Sequence, residues 1–243
     1  MAITVTSQFT GAQFTTTPQS QATSTNVTAG NDLLVPIFWF NDGGNDAPVA
    51  GDLTKTAGTS TIGTITIAHS SLNFVPFADT GRMQALFYRV PITGTGSLTL
   101  QIANMGTGGA LDGFWMFLEC TSLGALDGTP VSNSDTTQGG ASPTTGSQTS
   151  TGSALFLAMF GDGGGNNTAI AGTGTFTQGF EQENGTTAQR GSITYRIVST
   201  STANNSGWTT DTTANAGIWL AIQACWAEAA AGGGNVLMGQ VCT

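Results

Sequence analysis

Eight consecutive apolar residues, Leu33-Leu34-Val35-Pro36-Ile37-Phe38-Trp39-Phe40, run straight into Asn-Asp-Gly-Gly. A run this short, rich in branched and aromatic side chains and closed by turn formers, predicts a strand buried on both faces. It has a counterpart downstream in Ala154-Leu155-Phe156-Leu157-Ala158-Met159-Phe160, closed by Gly-Asp-Gly-Gly-Gly. A strand with no polar face must lie between two other layers, so the chain needs enough β-structure to cover it on both sides.

Composition agrees. Charged residues make up 8% of the 243, and without Lys, Glu and Arg there is little to build the solvated faces of helices. The expected class is all-β: an antiparallel β-sandwich, jelly-roll-like. Enough large side chains exist for its core, with 13 Phe and 5 Trp, each contributing about 1.5–3 kcal/mol when buried.

Along the chain, Ile3, Val5 and Phe9 alternate with polar residues as an opening strand, and Gln13 to Asn26 reads as a polar loop or arm. Pro36 donates no ladder hydrogen bond, which predicts a bulge or a sheet edge there. Alternating segments follow around Ile65–Ile67 and Leu98–Ile102, with Met83 to Val90 between them, and Gly113 to Leu123 closes a first half. Residues 127–151 are Ser, Thr, Gly, Gln and Asn with two prolines, the composition of a linker or surface loop. The second half echoes the first. Tyr88-Arg89-Val90 resembles Tyr195-Arg196-Ile197, and Phe114 to Glu119 resembles Ile218 to Gln223, an internal two-fold repeat. On that reading residues 1–26 are a strand and polar arm, and 27–228 one sandwich with half-repeats at about 27–126 and 152–228. Each half is expected to feed both sheets. Residues 229–243 form an Ala/Gly hinge and an apolar tail, whose Val236, Leu237, Met238 and Val241 either pack on the sandwich edge or cross to a neighbouring subunit.

The net charge of −9 repels phosphate, and only Lys55, Arg82, Arg89, Arg190 and Arg196 oppose it. Nucleic acid and anionic membranes are therefore not expected partners. Met1 to Thr6 has no basic start or apolar core of a secretory signal, which predicts assembly in a cytosol. Three cysteines, Cys120, Cys225 and Cys242, cannot make a complete disulfide framework and read as small buried hydrophobes.

Little in the sequence resembles catalytic machinery. The only histidine, His69, stands beside Ser70 and Ser71 with nothing nearby to form a triad, and Glu181 and Glu183 are a carboxylate pair of unknown separation. No enzyme activity, cofactor or catalytic residue is expected. One metal reading is available. Asp42, Asn45, Asp46 and Asp52 follow the first apolar run, and Asp162, Asn166 and Asn167 follow its twin. Oxygen-rich loops suit Ca²⁺, although the same residues are ordinary turn formers.

Three stretches resemble a known module. Thr28-Ala29-Gly30-Asn31-Asp32-Leu33-Leu34-Val35, Phe87-Tyr88-Arg89-Val90 and Glu119-Cys120-Thr121-Ser122-Leu123 are similar to a β-sandwich found in structural proteins of tailed bacteriophages and in some bacterial surface proteins. Cys120 departs from that pattern, which has an aromatic there. The resemblance implies a virion structural protein, assembled in the host cytoplasm and carrying no catalytic residues. The leading expectation is a decoration or cement protein on the capsid exterior, bound to the major capsid protein and to itself as a homotrimer. The alternatives are a tail, baseplate or fibre protein touching host glycans, through aromatics such as Trp208, and a bacterial carbohydrate-binding or adhesive module.

Overall fold

The computed structural model describes residues 2–14, 18–41, 49–74, 82–103, 111–135, 143–162, 170–173, 175–182, 190–210 and 219–230. Nineteen strands occur among them. The first half carries β1 (Val5–Phe14), β2 (Gln19–Ala22), β3 (Asp32–Asn41), β4 (Leu53–Ala57), β5 (Thr61–Ile62), β6 (Thr66–Phe74), β7 (Arg82–Gly94), β8 (Thr99–Ile102) and β9 (Leu111–Cys120). Next come β10 (Leu123–Leu126), β11 (Val131–Asp135), β12 (Gln148–Thr149), β13 (Ala154–Asp162) and β14 (Ile170–Thr173). The last five are β15 (Thr177–Gln182), β16 (Arg190–Val198), β17 (Ala203–Asn204), β18 (Gly207–Thr210) and β19 (Trp219–Glu228).

The chain is an all-β sandwich of two six-stranded antiparallel sheets. The first has the order β1-β9-β3-β7, with β5 and β6 both on β7. The second has β19-β13-β16-β15, with β10 and β11 both on β19. Side chains alternate along each strand, so one set meets the opposite sheet and the other points outward. Leu34, Phe38, Phe87, Phe114 and Leu118 face Leu155, Leu157, Met159, Ile222 and Trp226 across the central core. The outward set of the first sheet, including Leu33, Val35, Trp39, Tyr88 and Trp115, is covered by the three-stranded sheet β2-β8-β4 through Leu53, Leu98, Leu100 and Ile102. The outward set of the second lies under two short ladders, β14-β18 and β12-β17. Four layers result, which is why both apolar runs are buried on both faces, as the sequence predicts.

Several expectations are corrected. The halves do not share the sheets: every strand of the first lies within residues 5–120 and every strand of the second within 123–228. The chain passes between them in two residues, Thr121 and Ser122, and Ser122 takes the left-handed backbone (φ 52°) that makes the turn. The two strand orders correspond, but a repeat at residue level is not confirmed. Trp115 and Trp219 both point outward, whereas Tyr88 points outward and Tyr195 inward. Facing is set by register, and a one-residue slip reverses it.

Pro36 is neither at an edge nor at a bulge. Its strand is central, the ladder to β7 is continuous through Pro36, and the ladder to β9 skips Val35 and Pro36 without a change of register. The chain accepts the lost bond inside the core rather than moving the strand. The polar stretch 127–151 is not a free loop, since it supplies β11 and β12 and buries Thr145, Gln148 and Ser150. The polar arm likewise supplies β2.

Candidate functional site

Register places the strand ends at two poles. At one lie the tight turns, including Thr28–Asn31 and Thr121–Ser122. At the other lie Phe14, Asn41, Arg82, Leu111, Asp135, Asp162, Arg190 and Trp219. Asp42, Asn45 and Asp46 lie outside the described residues, and so do Asn166 and Asn167. Asp162 ends β13 in register with Arg190 on one side and Trp219 on the other. Asp52 Oδ2 accepts the Val49 amide at 2.8 Å, a turn-capping role. Among the described residues no three metal-ligating side chains come together.

The turn pole of the first sheet holds a buried polar cluster. Glu119 Oε1 accepts the Thr28 amide at 2.8 Å and Asn31 Nδ2 at 2.6 Å, while Oε2 accepts Gln8 Nε2. Beside it Asp32 and Arg89 pair at two points, 2.9 and 2.8 Å, and Arg89 also donates to the carbonyls of Leu123 and Gly124. Planar guanidinium geometry suits that fourfold task. The cluster binds β1, β3, β7 and β9 together and fixes the chain where it leaves for the second sheet. Cys120 sits in its midst. Burial, then the negative Asp32 and Glu119, push its thiol far above the usual range, against the opposing effect of Arg89, so it is inert as a nucleophile. Cys225 is pushed up to about 12 by burial and by Asp127.

A second polar cluster lies beneath β12 and β17. Gln223 Nε2 donates to Asn204 O, Thr145 Oγ1 bridges to Gln223 Oε1, and Arg196 donates to Asn204 Oδ1. Asp127 accepts the amide and hydroxyl of Thr151 at 2.7 and 3.0 Å. Both clusters join the chain to itself.

His69 follows a bulge in β6, and burial lowers its pKa, partly opposed by a hydrogen bond with the Val131 backbone on β11. Its Nε2 is buried with no hydrogen-bond partner. Trp208, expected as an exposed platform for sugars, is completely buried and stacked on Phe160 with centroids 5.4 Å apart. The side chain of Glu181, and Glu183 with the segment containing Val236, Leu237, Met238 and Val241, fall outside the description.

The described residues also form a surface concavity. A groove of about 200 Å³ lies where Ala2 and Ile3 cross the end of β16 at Ile197 and Val198, with Glu228 at its rim. Ile197 is 45% exposed, one of the few large apolar side chains on the described surface. Sequence reading did not find this groove or the Glu119 cluster, whose partners stand 88 to 111 residues away in the chain. The available signal was a lone acid inside the apolar run Gly113 to Leu123. No family model, curated protein or solved structure matches the chain.

Proposed function

We propose that the protein is a non-enzymatic structural component of a phage virion, a decoration or cement protein seated on the capsid exterior. The observation that carries this reading is where the buried polar side chains go: Glu119, Asp32, Arg89, Gln223 and Asp127 are all engaged in holding the chain to itself. Among the described residues the part left for function is outer surface, which suits a contact role. The net charge of −9 is compatible with the outside of a head, where packaged DNA presents no phosphate. The resemblance of Thr28 to Val35 and of Phe87 to Val90 to phage sandwich modules supplies the class of assembly. Burial of Trp208 removes the aromatic platform favoured for the glycan-reading alternative.

The test is direct. Purified protein is incubated with undecorated heads, and bound protein is measured after sedimentation of the particles. Saturable uptake at a fixed number of copies per head is the expected result. No uptake at any concentration overturns the assignment.

A further inference from the structure

The Ile197 groove is cut across the ends of neighbouring strands of the second sheet. Glu228 closes β19, Ser153 directly precedes β13, and Ile197 and Val198 close β16, while Ala2 and Ile3, which lead into β1, complete the apolar lining. The chain itself is delivered to this place. The Glu228 amide donates to Ser153 O at 2.8 Å, a bond between two residues of the lining, and Ala230 just beyond is exposed. Whatever follows β19 therefore sets out from the rim of an apolar depression.

We infer that the apolar segment Val236–Val241 folds back into the groove of its own chain. This docking does not depend on capsid decoration. Composition suits it: Val236, Leu237, Met238 and Val241 are apolar, and Gly232 to Thr243 carries no charged side chain to meet Glu228. Reach suits it too. Leu155 pairs with Trp226 on one side and with Ile197 on the other, so β19 and β16 lie two strand spacings apart, roughly 10 Å. Ala231 to Val236 span up to roughly 20 Å when extended, which leaves slack for the sideways turn that Gly232-Gly233-Gly234 can make. Tethering decides between this chain and another. A segment on so short a flexible linker meets its own groove at a millimolar effective concentration, whereas the segment of a second copy is present only at the protein concentration. The driving force is burial of Ile197, which is 45% exposed, together with one or two aliphatic side chains of the segment.

Thiol labelling reads the docking in the full-length chain. Ile197→Cys places a reactive group in the groove and Cys242→Ser removes the one in the tail, while Cys120 and Cys225 are buried and serve as a control for the fold. Position 197 is expected to react with a maleimide at least tenfold more slowly behind the native tail than in a chain that also carries Leu237→Asp and Val241→Asp. Protection should be the same at every protein concentration, as a contact within one chain requires, and the tail substitutions should leave the sedimenting species unchanged. Equal labelling rates with and without the tail substitutions overturn the inference. Protection that fades on dilution, or an oligomer that the tail substitutions dissociate, overturns the assignment to the chain's own tail. Labelling of Cys120 or Cys225 in the substituted chain would report a damaged fold, and the comparison is then carried by the milder pair Leu237→Ser and Val241→Ser.

Discussion

Glu119 is 6% exposed, and its two oxygens answer three donors from two separate stretches of chain, Gln8 on β1 and the Thr28–Asn31 turn. Arg89 does the complementary work, satisfying Asp32 and the two carbonyls that follow the turn into the second sheet. A buried polar group left unmatched costs about 1–3 kcal/mol, more when charged, so these contacts specify one geometry rather than tolerate several. His69 differs from them. Its Nε2 has no hydrogen-bond partner, and burial disfavours the charged ring. Its pKa in the folded chain therefore lies below the unfolded value of 6.5. Between those two values the unfolded chain binds more protons, so the histidine's contribution is intact above pH 6.5 and is lost as pH falls through the window below it. The expected outcome is a melting midpoint that falls between pH 7.5 and 5.5, with a smaller fall in His69→Gln, which can still donate to the Val131 backbone. Equal falls in both proteins would assign the pH dependence to other groups.

Among the elements, β13 and β16 owe their close approach to the first sheet to two glycines. A Cβ on Gly191 would overlap the Phe114 ring and the Phe160 carbonyl, and one on Gly161 would overlap the Phe38 ring. Phe38 and Phe114 stack at 5.2 Å, and Phe114 stacks on Phe180 at 5.4 Å, so the rings have little room to withdraw. Gly191→Ala is expected to destabilise by about 3 kcal/mol in urea unfolding, the upper range for overpacking, because backbone as well as ring must shift. Gly161→Ala meets the Phe38 ring as its three nearest atoms and should cost less; the reverse order would remove this account. These contacts also mark how far the sequence could be read. The two apolar runs were legible as buried strands because no polar residue interrupts them, and Leu98 to Ile102 was legible by alternation. β11 and β12 were not, since their stretch has no apolar run and is held by Gln148 and Thr145 bonding to distant partners. The Tyr-Arg echo misled because facing depends on neighbours in the sheet, which local sequence does not carry. The Glu119 cluster was hidden for the same reason, its donors lying at Gln8, Thr28 and Asn31.

The whole molecule is two sandwiched sheets with unlike covers. Over the first sheet, Val27, Leu53, Leu98, Leu100 and Ile102 bury apolar side chains against β3 and β7, each contributing about 1.5–3 kcal/mol. Over the second, Trp208 anchors β18 on Phe160, but β17 and the residues flanking it and β12 rest on Gln223 and Thr194 through hydrogen bonds made by Asn204, Thr145 and Ser206, with a net contribution of about 0.5–1.5 kcal/mol each. Ser192 Oγ and Gln148 Oε1 are buried there without a hydrogen-bond partner, which weakens that layer further. Local opening follows the weaker layer, in the way that low-stability units of a fold exchange before its core. The Thr145 amide, bonded to Ser206 O, and the Ser150 amide, bonded to Thr202 O, should therefore exchange hydrogen well before the Val27 amide on Gly96 O and the Ala103 amide on Asp52 O. All four are backbone bonds in covering segments, so the comparison isolates what lies beneath them. Hydrogen exchange read by mass spectrometry on peptides spanning 143–153, 20–30 and 96–103 measures the difference. Equal protection would mean that the polar layer holds its cover as firmly as the apolar one.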